Sequence, residues 1–332
     1  MDLYPTIDTI GDQYQQVIPQ GQPLPKLQMD YLKHNESDVS SVLRNIDFRI
    51  QLNEGGYGCV WFVKAEVNSG TTTQPVWTAR ELACKVMQIR FRTDWTFTDR
   101  VNAMMADMLA LRYLQHENIS TMVEFITLPD TKTGFPFGFV LLFMDCCDGD
   151  LWERMYQTQE KCLKEAENLD WFDQIGSALH YLHVTQLMVH LDIKPENILY
   201  KQDVQQNRVI YKLTDFGFAI AYPRHPMQSD THTGSLRYCA PEVFSTGIIA
   251  TKPLDIYSLG ASMCCTIVGL DLYSRKVVRS ILDTLILDGF IPGVNPPVRC
   301  RRSLIGLVRR MVDRDIWFRP TIEEVRNTQL PP

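Results

Sequence analysis

One stretch constrains the fold more than any other: Met188 to Tyr200, MVHLDIKPENILY. Apolar residues precede His190 and follow Asn197, so the polar cluster His190, Asp192, Lys194, Glu196 and Asn197 reads as a loop held between two buried anchors. Such a loop can hold chemistry still. Asp192 offers an acceptor for a hydroxyl proton, Lys194 a positive charge beside it, and Asn197 an amide oxygen suited to a hard cation such as Mg²⁺. A second signature, Asp215-Phe216-Gly217, follows downstream and adds an anionic metal ligand in Asp215.

Taken in order, the two stretches resemble the catalytic loop and metal-binding loop of the eukaryotic protein kinases. The lysine two places after the aspartate is similar to the Ser/Thr branch rather than the tyrosine branch. The tripeptide alone says little, because three residues recur by chance; the loop is the specific signal. The resemblance implies an α+β, two-lobed protein kinase fold: a small antiparallel-sheet lobe with one helix, and a larger, mainly helical lobe. It divides the chain into an N-terminal extension, 1–45, disordered or regulatory; a kinase domain, 46–327; and a tail, 328–332. Within the domain the small lobe is 46–143, the hinge about 144–148 and the large lobe 149–327.

Bulk properties agree with a globular chain. At 332 residues and 45% hydrophobic, it can bury a large core in one big domain or two lobes. A net charge of −6 argues against general attraction to nucleic acid or anionic membrane, and no apolar run reaches the roughly 20 residues of a membrane helix. Nine cysteines without ligand spacing read as reduced thiols. With no secretory signal evident after Met1, the expectation is an intracellular protein of the cytoplasm, the nucleus or both.

In the proposed small lobe, Phe48–Leu52 and Cys59–Val63 read as strands joined by Asn53-Glu54-Gly55-Gly56-Tyr57-Gly58. Gly55 and Gly58 match the second and third glycines of the kinase phosphate loop and Asn53 replaces the first, so the resemblance implies nucleotide contacts along Asn53–Gly58. Glu81–Met87 reads as a strand whose Lys85 matches the kinase lysine that holds the α- and β-phosphates; Val60, Ala83 and Leu199 would sandwich adenine. Asp99–Gln115 is an amphipathic helix with apolar Val101, Met104, Met105, Met108, Leu111 and Leu114. The family carries a glutamate there that holds the strand lysine, and the matching residue is Asp107. Its shorter arm requires a closer helix or a bridging water. Phe139–Cys147 reads as a buried strand running into the hinge, where backbone groups near Met144, Asp145 and Cys146 would bind adenine; either Phe143 or Met144 guards the back of that site.

In the large lobe, Leu169–Val184 is a long helix leading into the catalytic loop, and His180 and His183 are structural. The run from Asp215 to Ala240-Pro241-Glu242 matches a kinase activation segment ending in GSLRYCAPE, with Ser229, Thr231 and Thr233 as candidate phosphosites and Ser235 in place of the family's threonine. Leu191 stands where most regulated kinases have arginine, which removes the usual phosphate anchor. Asp255 resembles the buried aspartate that supports the catalytic-loop backbone, and Arg319 would pair with Glu242. A basic run, Arg299, Arg301, Arg302, Arg309 and Arg310, interleaves with Leu304, Leu307, Val308 and Met311 at helical spacing and reads as a solvated helix face.

The resemblance implies a Ser/Thr protein kinase that uses ATP with Mg²⁺, or Mn²⁺ in its place, to phosphorylate protein hydroxyls. Asp192, Lys194, Lys85 and Asp107 form the catalytic set, and Asn197 and Asp215 hold the metal. Activity would not depend on activation-loop phosphorylation. Partners are protein substrates, with a lean to basic sequences from Asp150 and Glu196; neither nucleic acid nor membrane is expected. The alternative is a catalytically weak or inactive kinase fold acting as a binding scaffold, with Asn53 and Asp107 as its support.

Overall fold

The computed structural model describes residues 32, 40–55, 58–88, 97–129, 138–221, 237–244, 251–269 and 301–328. The chain forms two compact units, residues 1–113 with 121–146, and residues 114–120 with 147–332.

Among the described residues, the first unit is a five-stranded antiparallel sheet with one long helix. Its strands are β1 (Leu43–Gly55), β2 (Gly58–Asn68), β3 (Trp77–Gln88), β4 (Met122–Leu128) and β5 (Phe139–Asp145), in the spatial order β1-β2-β3-β5-β4. Alternation along the strands separates two faces. Trp61, Val63, Leu82, Cys84, Val86, Leu141 and Phe143 lie in one buried apolar cluster. β1 starts at Leu43, earlier than the Phe48 start expected from alternation alone. Ser40 explains this, because its Oγ accepts hydrogen bonds from the Val42 and Leu43 N–H groups and starts the strand. Leu32, inside the segment expected to be an extension, is helical and buried in the same cluster.

Helix α1 (Phe97–Tyr113) buries Met104, Met108 and Leu111 as the periodicity predicts. Met105, counted with them from the sequence, is exposed instead. It sits about 100° around the helix from Met104, and one stripe cannot bury both neighbours.

The second unit is mainly helical among the described residues. Strand β6 (Gly149–Asp150) leads into α2 (Leu151–Gln157), and α3 (Glu165–His180) continues through a π-turn over Tyr181–Thr185. Short β7 (Met188–Val189) precedes the loop, and β8 (Ile198–Asp203) and β9 (Arg208–Leu213) follow it. β10 (Ile220–Ala221) returns to pair with β7. The core helix α4 (Lys252–Val268) is buried nearly end to end, and α5 (Arg302–Met311) and α6 (Ile322–Asn327) complete the described elements. On α3, Phe172, Ile175 and Leu179 are buried, as is Leu182 in the turn. On α5, Leu304, Leu307, Val308 and Met311 face the core. Arg301 is not merely solvated: its Nε donates to Glu165 at 2.8 Å. Among the described residues, no helix is long and apolar enough to cross a membrane.

Candidate active site

Each unit carries its own cluster of chemistry-bearing residues. In the first, β3 aligns Ala83 and Lys85 on one face because they are two residues apart. The register sets Lys85 opposite Val60 and Leu142, and Ala83 opposite Phe62 and Met144. Val60, Ala83, Lys85 and Met144 therefore share a face, whereas Phe143 lies opposite Cys84 and is buried in the core of the other face.

Lys85 Nζ meets Asp107 Oδ2 at 2.7 Å, and Asp107 is almost wholly buried. The short aspartate arm thus reaches its lysine directly. Ala103 and Ala110 are buried on the same side of α1 as Asp107, about one turn before and after it, and their small side chains permit that close approach.

The glycine hairpin pairs Asn53 with Val60, Glu54 with Cys59 and Gly55 with Gly58. Gly58 has φ +150°, and a Cβ there would lie 2.0 Å from the Val86 carbonyl oxygen, so only glycine fits. Gly56 and Tyr57 lie outside the described residues. In the segment expected to bind adenine, Asp145 donates its N–H to Thr121 O at 3.2 Å and its carboxylate pairs with Arg80. Cys146, partly buried, ends the first unit.

In the second unit the loop is stitched to α4. Asp255 Oδ2 accepts the His190 N–H and Oδ1 the Leu191 N–H, both at 2.8 Å. His183 Nε2 also reaches Oδ2, at 2.9 Å. Burial alone pushes the Asp255 carboxyl up, but the hydrogen bond from His183, together with the electrostatic influence of the two imidazoles and the His190 N–H, outweighs it and holds the group below its ordinary value. Leu191 adopts φ +69°, a left-handed conformation costing about 1–2 kcal/mol for a side-chain-bearing residue, and its bond to Asp255 fixes it there. The Leu191 side chain is buried in an apolar cluster with Val189, Ala240 and Leu254.

Asp192 is therefore delivered on a rigid backbone. Lys194 Nζ donates to its Oδ2 at 2.8 Å. Asn197 Nδ2 donates to the Asp192 backbone oxygen at 2.8 Å and to Oδ2 at 2.9 Å. Both amide hydrogens of Asn197 are spent on Asp192, which leaves the amide oxygen as the end suited to a cation. His190 Nδ1 accepts the Asp192 N–H, so its Nε2 is the donor to Thr214 O at 3.1 Å. Thr214 N–H in turn donates to Asn197 O at 3.0 Å. These two bonds tie Thr214, the residue before Asp215, to His190 and to Asn197. Asp215 itself takes φ +61°, a conformation that aspartate tolerates better than most residues.

Leu199, on β8, is half-buried and lies opposite Asp150. Asp150 Oδ1 caps α2 by accepting the Glu153 N–H at 2.8 Å. Burial, with the charges of Glu153 and Glu196, pushes its carboxyl up to about 6 despite that bond. Glu196 is also raised, chiefly by burial, and its Oε2 is buried with no hydrogen-bond partner. Arg319 grips both carboxylate oxygens of Glu242, at 2.5 and 2.8 Å, and lies over the Tyr257 ring. Ser229, Thr231, Thr233, Ser235 and Arg299 lie outside the described residues. Sequence reasoning did not find the His183–Asp255 bond or the clamping role of Thr214; no local spacing connects these positions.

The protein kinase domain family profile matches residues 54–330. Among curated proteins, the chain is 29% identical over 227 residues to the serine/threonine-protein kinase atg1 of Dictyostelium discoideum, covering 68% of this chain and 31% of that protein. It is 28% identical over 253 residues to the SNF-related serine/threonine-protein kinase of Homo sapiens, covering 76% and 30%. To the membrane-associated tyrosine- and threonine-specific cdc2-inhibitory kinase wee-1.3 of Caenorhabditis elegans it is 33% identical over 189 residues, covering 57% and 26%. The chain thus spans less than a third of the length of these relatives. With the family profile covering most of its length, the chain belongs to the protein kinase domain family and has the α+β, two-lobed kinase fold.

Proposed function

We propose that the chain is a Ser/Thr protein kinase that transfers the ATP γ-phosphoryl group to protein hydroxyls. The observation that carries this reading is the Asp192 carboxylate, held by Lys194 and Asn197 on a loop fixed to Asp255. Membership of the family implies ATP and a divalent metal in general; Mg²⁺ is the finer assignment, and when bound it neutralises charge on the phosphates. The Asn197 amide oxygen and the Asp215 carboxylate are the hard oxygen donors for it. Lys85, oriented by Asp107, binds phosphate; Val60, Ala83 and Met144, on the face of Lys85, offer apolar surface to adenine, and family resemblance assigns nucleotide contacts to Leu199 of the second unit and to backbone groups of Asn53–Gly58 and Asp145–Cys146. Asp192 orients the acceptor hydroxyl and accepts its proton, while Lys194 offsets developing charge.

Leu191 supports activity independent of activation-loop phosphorylation, since an apolar, buried side chain cannot pair with a phosphate. Phosphatase-treated and untreated protein should phosphorylate substrate equally; a large loss after treatment would refute this. The unpartnered Glu196 oxygen and Asp150 support a lean to basic substrates, because a guanidinium or ammonium group would satisfy a buried carboxylate.

The deciding experiment incubates the purified protein with radiolabelled ATP, Mg²⁺ and a generic protein substrate, beside Asp192→Asn. Signal from the wild type alone is expected; equal background from both would favour the scaffold reading. Phosphoamino-acid separation of the product then tests the acceptor class. Phosphotyrosine would extend the reading toward the dual specificity printed in the name of the C. elegans relative.

A further inference from the structure

The sheet of the first unit is open, because β1 and β4 stand at opposite ends of the order β1-β2-β3-β5-β4. One of its faces is nevertheless sealed. Trp61, Val63, Leu82, Cys84, Leu141 and Phe143 belong to one cluster that spans the sheet, and each is at most 4% exposed. α1 lies on the reverse side, since its Asp107 meets Lys85, which alternates with Cys84 along β3. Among the described residues α1 adds no side chain to the cluster. A sheet face this apolar needs a second layer, and α1 does not supply it.

The segment that precedes β1 reaches this face at two points. Leu32, helical and 2% exposed, lies inside the cluster. Ser40, 8% exposed, ties one edge of the sheet to the other: its Oγ donates to Glu124 Oε2 of β4 at 3.5 Å and accepts the Val42 and Leu43 N–H groups where β1 starts. Val42 on the β1 side and Val123 on β4 also pack against the cluster. The sheet therefore curls around its apolar face, and the seam left between β1 and β4 is where this segment enters. The protein kinase domain profile begins at residue 54, so membership of the family does not account for it.

We propose that the segment of this chain around Leu32 is a strap, which docks in the seam between β1 and β4, seals the apolar face of the sheet, and can leave it without unfolding the second unit. The occupant is set by the chain itself, since a second copy or another protein would first have to displace Leu32. Two thiols make the strap readable. Cys59 and Cys84 lie in the sealed cluster, and burial, with Cys59 beside it, pushes the Cys84 thiol up, so it resists alkylation while covered. Cys264 and Cys265 are buried in α4 of the second unit and serve as an internal reference. The proposal is independent of catalysis, and its test reads protection alone.

The full chain is alkylated with iodoacetamide near neutral pH, and labelling of each cysteine is followed over time by peptide mass spectrometry in the wild type, Leu32→Asp and Leu32→Ala. Val204→Asp, at a position 82% exposed in the turn after β8, is the control. Labelling of Cys59 and Cys84 is expected to speed up about tenfold or more in Leu32→Asp and several-fold in Leu32→Ala, with Cys264 and Cys265 and the control unchanged. A synthetic peptide spanning residues 24–39, added to Leu32→Asp, should slow the labelling again, and the same peptide carrying Leu32→Asp should not. Unchanged labelling of Cys59 and Cys84 in both variants overturns the proposal. So does a matching rise at Cys264 and Cys265 in the milder Leu32→Ala, which makes Leu32 part of a core shared by the whole chain. Equal action of the two peptides overturns it as well, and so does protection that rises with protein concentration beside a dimer in sedimentation, which assigns the seam to a second copy.

Discussion

Lys85 and Asp192 are positioned by different kinds of contact. In the first unit, a flexible lysine arm from β3 meets a carboxylate arm from α1 at 2.7 Å. In the second, the loop that carries Asp192 is fixed through its backbone, with the His190 and Leu191 N–H groups both ending on the Asp255 carboxylate. A contact between two side chains can absorb a change in arm length, as the aspartate at 107 illustrates. A contact from backbone N–H to a buried carboxylate cannot, because the donors have no rotamers and every alternative leaves a buried group unpaired. The first cluster should therefore tolerate conservative change, and the second should fail abruptly.

The largest effect is expected at Asp192. Asp192→Asn preserves shape but removes the proton acceptor, and transfer from radiolabelled ATP should fall by about 10²–10⁴ with the melting temperature nearly unchanged. Residual activity near wild type would remove Asp192 from the mechanism. Next comes Asp255→Ala, which leaves the His190 and Leu191 N–H groups buried without acceptors. At about 1–3 kcal/mol for each unmet donor, calorimetry should show a marked drop in unfolding temperature, accompanied by loss of activity. An unchanged midpoint would mean that water replaces the carboxylate and the loop is less rigid than its bonds indicate.

A smaller and more graded response is expected at Asp107. Asp107→Ala removes the 2.7 Å ion pair from Lys85 and should lower kcat/KM by about tenfold, whereas Asp107→Glu should stay within a few-fold of wild type because both arms can adjust. Equal losses in the two variants would break the contrast between an adjustable and a rigid cluster.

The smallest effect concerns pH. The Asp150 carboxyl, pushed up to about 6 by burial and by the charges of Glu153 and Glu196, binds its proton more tightly in the folded chain than at its ordinary value of 3.8 in the unfolded one. The folded state therefore holds more protons between those values, so stability falls as pH rises through that window and the loss is complete above about 6. Asp150→Asn keeps a good helix cap and removes the carboxyl, so its melting temperature should gain on wild type between pH 4 and 7. A constant difference across that range would show that the carboxyl is not perturbed.

Much of the second cluster was legible in the sequence because its parts are close along the chain. Asp192, Lys194 and Asn197 fall within six residues, and a loop that short can bring them together in few ways. The first cluster was legible only by resemblance, since Lys85 and Asp107 lie on a strand and a helix with no local relation. Other contacts had no sequence signal. His183 reaches Asp255 across 72 residues, and nothing in its surroundings distinguishes it from His180. Met105 was misjudged because neighbouring methionines on a helix differ only in the direction they face.

The sequence by itself determined the family, the order of the motifs and the chemical groups each loop could offer, since these depend on residue type and short-range spacing. Only the tertiary structure decided facing and satisfaction. It set Met144, rather than Phe143, on the face of Lys85, because strand register arises from pairing with β3, and a slip of one residue would exchange the two. It brought α1 close enough for an aspartate to reach the lysine, and it left one oxygen of Glu196 buried without a partner while Asp255 gained three. These outcomes depend on which distant groups share a low-dielectric interior, and that information appears only when the chain is folded.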